Sequence, residues 1–252
     1  MILRRLVAHL KDQNWTAIVI EFVLLVGGVF LGIEVSNWNQ EREQRNKAAA
    51  FTARLRADIR YELWGEQSMI EYYGAARVHA GLALDALSGR RPMTDEQFLV
   101  STYRATQIQT NTRARATYDE LVSTGTIGLI ADSGLRNAAI SFFSTDVYET
   151  TATKAQESEY RRLFRESVPY EVQDALLARC GDRRGKALDY ASLAHQLDYP
   201  CELGMPAEIV AKAAAVLKAQ PRLLPALQLR HADLATAITN LAADRNSKVS
   251  AL

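Results

Sequence analysis

The sequence predicts an all-α protein: an N-terminal amphipathic helix, one transmembrane helix continuing into a long helix, and then a helical bundle. Three observations predict it. Residues 16–33 read TAIVIEFVLLVGGVFLGI, an apolar run broken by one charge, Glu21, and framed by Trp15 and Trp38. Beyond that run, apolar residues recur at spacings of three and four, with no rival alternating pattern. Glycine (13) and proline (6) are scarce for an all-β chain of 252 residues, while Ala, Leu, Arg, Glu and Gln abound.

Residues 1–14 form the first element. Ile2, Leu3, Leu6, Val7 and Leu10 recur at helical spacing, with Arg4, Arg5, His9 and Lys11 between them. Such a helix suits the headgroup region, its cations near anionic lipid. The second element is the span itself, residues 15–38. A bilayer core takes about 20 apolar residues of helix, and tryptophans favour its two interfaces. A cleaved signal peptide would end in small residues, whereas this run leads into Glu34-Val35-Ser36-Asn37-Trp38-Asn39. A buried core helix is rarely apolar all round over such a length. The lipid bilayer is therefore the first expected partner.

Within the span, Glu21 is the costly residue, roughly 9 Å inside the Trp15 boundary at 1.5 Å per residue. Turning about 100° per residue brings Glu21, Gly28 and Gly32 within about 20° of one line. Gly28 and Gly32 have the small-xxx-small spacing that lets helix backbones approach, and a polar side chain on that face can hydrogen-bond across. The stripe predicts a helix–helix interface, in a homo-oligomer or with another membrane protein. The bland alternative is ordinary membrane-helix composition.

The remaining elements occupy residues 39–252, enough for a sizeable core. Phe51, Leu55, Ile59 and Leu63, then Ile70, Tyr73, Val78 and Leu82, continue the first helix to about Leu87, where Ser88-Gly89-Arg90-Arg91-Pro92 ends it. Thr94 with Gln97 reads as a capping box opening a helix to about Gln109, and Thr117 with Glu120 as another, stopped by Ser123-Thr124-Gly125. A second long helix is expected from Ser133 to Val168, ended by Pro169, and a shorter one from Tyr170 to Arg179. Pro206 begins a helix to about Ala219, and Pro221 and Pro225 precede a final one to about Ala243.

The only two cysteines, Cys180 and Cys201, bracket an insertion rich in Gly, Pro and Asp. That arrangement predicts a disulfide staple, and such staples persist outside the cytosol. Two unrelated buried thiols are the alternative. A metal site is not expected, because His195 is the only nearby histidine and no CxxC spacing exists. Lysine and arginine counts beside the span tie, so the cysteines decide the topology: residues 1–14 cytoplasmic, the large domain periplasmic.

His9-Leu10-Lys11-x-Gln13-x-Trp15, Gly28-Val29-Phe30-Leu31-Gly32 and Asn37-Trp38-Asn39 resemble the anchor of an uncharacterised family of bacterial single-pass inner-membrane proteins. Thr117-Tyr118-Asp119-Glu120-Leu121 with Gly125 through Ile130 is similar to that family's second recognisable stretch. The resemblance implies the topology and a helical domain; it supplies no activity, ligand or catalytic residue.

Functionally, 30 basic and 29 acidic side chains are interspersed, for a net charge of +1. No basic stripe marks a nucleic-acid surface. Nucleotide-binding, metalloprotease and nucleophile-elbow motifs are missing, so no enzyme, catalytic residue or cofactor is expected. The leading expectation is a membrane-anchored interaction, scaffold or accessory subunit. The second is a periplasmic ligand-sensing domain that signals through a membrane partner, and the third an enzyme without a recognised motif. For a ligand, the irregular middle offers Arg113, Arg115, Tyr118 and Glu120 beside a glycine turn. The alternative there is a loop packed back on the bundle, with Tyr118 and Leu121 as anchors and the arginines in salt bridges.

Overall fold

The computed structural model describes residues 15–183 and 185–249, with the side chains of residues 15–18 left aside. The amphipathic helix expected at residues 1–14 lies outside the described residues. The chain divides into two compact units, one ending at Thr52 and one beginning at Ala53.

Among the described residues every regular element is helical. Helix α1 runs from Trp15 to Leu87 without a break at Gly65, Gly74 or Gly81. In the first unit it carries the apolar run: Val19, Phe22, Val23, Leu24, Leu25, Phe30 and Leu31 are all exposed. This is the one described helix long and apolar enough, by length and composition, to cross a membrane.

The second unit is a helical bundle. The C-terminal part of α1 buries Leu55, Ile59, Met69, Tyr72, Tyr73, Ala76, Ala80 and Ala83, steps of three and four that define one broad apolar face. Gly89, at φ +71°, turns the chain out of α1. Helix α2 (Asp95–Ala105) opens with the predicted capping box: Thr94 accepts from Gln97 N, and the Gln97 side chain accepts from Thr94 N. Helix α3 (Ala116–Ser123) ends at Gly125, φ +67°. Helices α4 (Ser133–Ser144), α5 (Val147–Gln156), α6 (Glu159–Ser167) and α7 (Tyr170–Cys180) follow, then α8 (Ala207–Lys218) and α9 (Leu223–Val249). Helix α8 packs chiefly on α2, and α9 on α6 and α5. Short 3₁₀ turns cover Ile127–Leu129 and Tyr190–His195.

Four expectations are corrected. The long helix over Ser133 to Val168 is three helices, because Thr145 adopts extended backbone and Ser158, at ψ 126°, leaves the helical region. The first break is held from outside: Arg113 Nη1 donates to Thr145 O at 2.6 Å and Nη2 to Phe142 O at 2.5 Å. A guanidinium thus takes carbonyls that a helix end leaves unpaired. Helix α2 stops at Ala105, not Gln109, since Arg230 takes Ala105 O and Gln107 O, and Arg161 takes Thr106 O. Those donors replace the helical bonds that the peptide carbonyls would otherwise need. Thr117 is not a cap: α3 starts one residue earlier, Arg115 stands at the N-cap without a side-chain bond, and Thr117 is buried. The last helix begins before Pro225, whose missing N–H falls in the first turn where no helical bond is due, and continues to Val249 rather than Ala243.

Candidate functional site

The second unit holds a polar cleft of about 340 Å³ against α1. Its construction starts from the i, i+4 spacing of Trp64, Ser68 and Tyr72, which places all three along one line of the helix. The non-helical stretch after α2 supplies Gln109 and Asn111, and the segment between the cysteines supplies Asp182, Arg183 and Gln196. Ser68 joins the three pieces. Its Oγ accepts from Gln109 Nε2 and from Gln196 Nε2, each at 2.9 Å. Close passage of the 108–111 stretch over α1 is permitted by Gly65, where an added Cβ would collide with Asn111 Nδ2.

Four polar atoms of the residues that line it are buried out of contact with solvent and have no hydrogen-bond partner: Trp64 Nε1, Tyr72 OH, Gln109 Oε1 and Asn111 Nδ2. Trp64 is 8% exposed and Tyr72 1%. Native interiors leave few such atoms unsatisfied, and their concentration in one cleft singles it out. Burial first, and then the nearby Asp182, push the Tyr72 hydroxyl above the usual phenol range. It therefore stays protonated and can both donate and accept.

The cysteine-bracketed segment is pinned from both ends. Cys180 and Cys201 are disulfide-bonded, with Cα atoms 5.4 Å apart. Buried Arg104 reaches Tyr199 O at 2.8 Å and Cys180 O at 3.4 Å, and lies 3.4 Å from Cys201 Sγ. Arg183 stacks over Tyr199, 3.5 Å from the ring centroid, and its N–H donates to Gln196 O. The rim of the cleft is thus fixed by one covalent and several polar links. His79, beside Arg104, is pushed down to about 4 by burial and then by that guanidinium, so it is neutral at pH 7.

The middle-loop candidates do not converge on this cleft. The Arg113 side chain is buried, bonded to Glu62 Oε2 at 3.3 Å and to the carbonyls of Phe142 and Thr145 at the end of α4. Arg115 pairs with Asp119 at the surface, and Glu120 with Arg54 at 2.9 Å. Tyr118 stacks on Phe143 with centroids 4.9 Å apart. Each of the four is engaged within the fold. In the first unit Glu21, Gly28 and Gly32 lie exposed, and an added Cβ at either glycine meets nothing within 4 Å. Among the described residues no group of three or more His, Cys, Asp and Glu is placed to hold a metal.

Trp64, Ser68, Tyr72, Gln109 and Asn111 were not legible as a site. Their signal was the polar i, i+4 line inside an otherwise apolar helix face, facing the amide-rich Gln107-Ile108-Gln109-Thr110-Asn111. In comparisons with known proteins, no family model, curated protein or solved structure matches the chain.

Proposed function

We propose that this is a single-span membrane protein whose helical domain acts by binding, as an interaction or accessory subunit. The observation that carries the reading is the apolar stretch of α1, whose large side chains from Val19 to Val35, Val26 apart, are more than half exposed. Such a continuous apolar surface requires lipid or a partner to cover it. The bacterial inner membrane is the expected setting. The Cys180–Cys201 disulfide supports a periplasmic location for the domain, since such bonds persist in oxidising compartments. The Glu21, Gly28 and Gly32 stripe is the proposed contact with a second copy or another membrane helix.

The test has three readouts. The protein should stay in the membrane pellet through alkaline carbonate extraction. A phosphatase fused after Leu252 should be active in the periplasm. Gly28→Leu and Gly32→Leu should weaken self-association of the span, and Leu24→Ala should do much less. Release by carbonate would end the anchor reading; activity of a cytosolic reporter alone would reverse the topology.

A ligand-sensing role is the second reading, favoured by the polar cleft of about 340 Å³ lined by Trp64, Ser68, Tyr72, Gln109 and Asn111.

A further inference from the structure

We propose that the groove between α5 and α9 binds a zwitterionic α-amino acid with an apolar side chain, its carboxylate on Arg230 and its ammonium on Asp233. The groove is a different cavity from the polar cleft, so the inference goes beyond the readings above. It depends on neither the anchor nor the topology.

A buried cation without a counter-ion sets the first half of the chemistry. Arg230 lines the groove and is 3% exposed. One edge of its guanidinium is spent within the fold: Nε donates to Ala105 O at 3.1 Å and Nη2 to Gln107 O at 2.9 Å. Both acceptors are neutral carbonyls, and among the described residues no carboxylate pairs with Arg230. Nη1 bonds to nothing in the fold and, unlike Trp64 Nε1 or Tyr72 OH, is not sealed from solvent. With the second N–H of Nη2 it forms the planar fork that grips a carboxylate at two points. A counter-anion gains more here than at an open surface, because little water screens the charge.

The mouth has the opposite sign. Asp146, Glu157 and Asp233 are exposed on the groove wall, against one exposed cation, Lys154. Among the described residues none of these four is held in an ion pair, whereas Glu159 is already taken by Arg222. A simple anion would have to pass these carboxylates to reach Arg230, and a simple cation would leave Arg230 without a counter-ion. A zwitterion answers both. Arg230 and Asp233 stand at i, i+3 on α9, which brings their Cβ atoms to about 5–6 Å. One molecule carrying ammonium and carboxylate on the same carbon can bridge two side chains so placed.

The remaining wall is apolar, with Val147 and Ala155 from α5 and Leu229 and Ala237 from α9. Leu229 is 54% exposed, an apolar surface for a ligand side chain to cover. The volume of about 600 Å³ lies within the range of small-molecule pockets and admits a side chain the size of leucine or phenylalanine.

The test uses the full-length protein in detergent, followed by thermal unfolding and titration calorimetry. L-leucine and L-phenylalanine are each compared with their amide, which lacks the carboxylate, and with their N-acetyl derivative, which lacks the ammonium. The proposal expects a saturable rise in Tm with at least one of the two amino acids, and binding about tenfold or more weaker for both of its derivatives. Asp233→Asn should weaken the amino acid by a similar factor and narrow the gap to its N-acetyl derivative. Ala237→Leu, which fills the groove, should weaken every probe that binds. Arg230 itself is left unchanged, because it also holds Ala105 O and Gln107 O. If Ala237→Leu fails to fold, the exposed Asp233→Asn and the derivatives carry the test.

An amide that binds as well as its parent would overturn the contact to Arg230, and an N-acetyl derivative that does so would overturn the contact to Asp233. Binding untouched by both variants would place it elsewhere in the molecule, and no binding of either amino acid would leave the groove to solvent; each overturns the proposal. None of these results bears on carbonate extraction or the reporter fusion, so the anchor reading stands or falls separately.

Discussion

Two polar clusters lie buried against the same three turns of α1, and they are solved in opposite ways. Glu62 and Glu66 occupy one face; Trp64, Ser68 and Tyr72 occupy another, roughly 140° around the helix at about 100° per residue. The first cluster is ionic and matched at every atom but Glu66 Oε2, which is buried without a partner. Glu62 takes Arg113 Nε at 3.3 Å and Ala114 N at 2.6 Å; Glu66 takes Lys248 Nζ at 2.7 Å, and Lys248 also pairs with Asp244. Lys248 further sits over the Phe142 and Tyr148 rings, at 4.6 and 5.5 Å. The second cluster is neutral and left open, with four polar atoms unpartnered. The difference teaches what burial tolerates. A buried charge without a partner is too destabilising to persist, so charged clusters close on themselves and become structure. A neutral group can stay unsatisfied at a smaller penalty, so the second cluster persists with several atoms unpaired.

The comparison predicts its largest effect on the ionic side. Arg113→Met should destabilise the second unit by about 3–5 kcal/mol, since it strands Glu62 and uncaps α4. Denaturant unfolding of the full chain in detergent measures it. Glu62→Gln combined with Arg113→Met should be less destabilising than the two single changes added together. Additivity would mean that the pair is not a unit and would weaken the contrast.

Next is the disulfide, which holds the rim of the neutral cluster and none of the ionic one. Reduction, or Cys180→Ser with Cys201→Ser, should lower stability by about 3 kcal/mol for a closed loop of this length. Hydrogen exchange should quicken first around residues 182–201, while the backbone near Glu62 keeps its protection.

A third effect is pH-dependent. Burial raises Glu66 to about 7 in spite of Lys248. A carboxyl raised in the folded state binds more protons folded than unfolded between about pH 4.5 and 7. Stability contributed by this group therefore falls as pH rises through that window, by about 3 kcal/mol, and is flat above it. Unfolding free energies taken from pH 5 to 8 should show the slope, and Glu66→Gln should remove it. An unchanged slope in that variant would assign the effect to another group.

Local chemistry was legible in the sequence where local residues decide the backbone. The Thr94–Gln97 box, the stops at Ser88-Gly89 and Gly125, the all-α class and the cysteine pair all rest on neighbours or on composition. Where distant residues decide, the sequence misled. The break at Thr145 is held by Arg113 arriving from over 30 positions earlier, and the one local sign of it, Asp146 with Glu149 in capping-box spacing, sits inside an otherwise continuous helical pattern. Arg113 itself looked like a ligand contact because its role as a cap and an ion-pair partner is written in Phe142, Thr145 and Glu62. The cleft was hidden for a similar reason. Trp64 and Tyr72 have the spacing of ordinary packing residues, and only the passage of the 108–111 stretch across Gly65 reveals that their polar atoms meet no partner.

The smallest effect is the sharpest, because it asks for opposite signs within one cleft. Ser68 is the neutral cluster's satisfied member, accepting two amide N–H groups at 2.9 Å. Ser68→Ala strands Gln109 Nε2 and Gln196 Nε2 together, and should destabilise by about 1–2 kcal/mol. Tyr72→Phe deletes a hydroxyl that bonds to nothing, four residues along the same line, and should be neutral or stabilising by up to about 1 kcal/mol. Both changes remove one oxygen from a side chain at most 1% exposed, so a simple burial argument cannot separate them. Thermal unfolding of the two variants beside the parent decides it. If Tyr72→Phe destabilises as much as Ser68→Ala, the hydroxyl has a structural partner after all, and the line between closed and open clusters on α1 disappears.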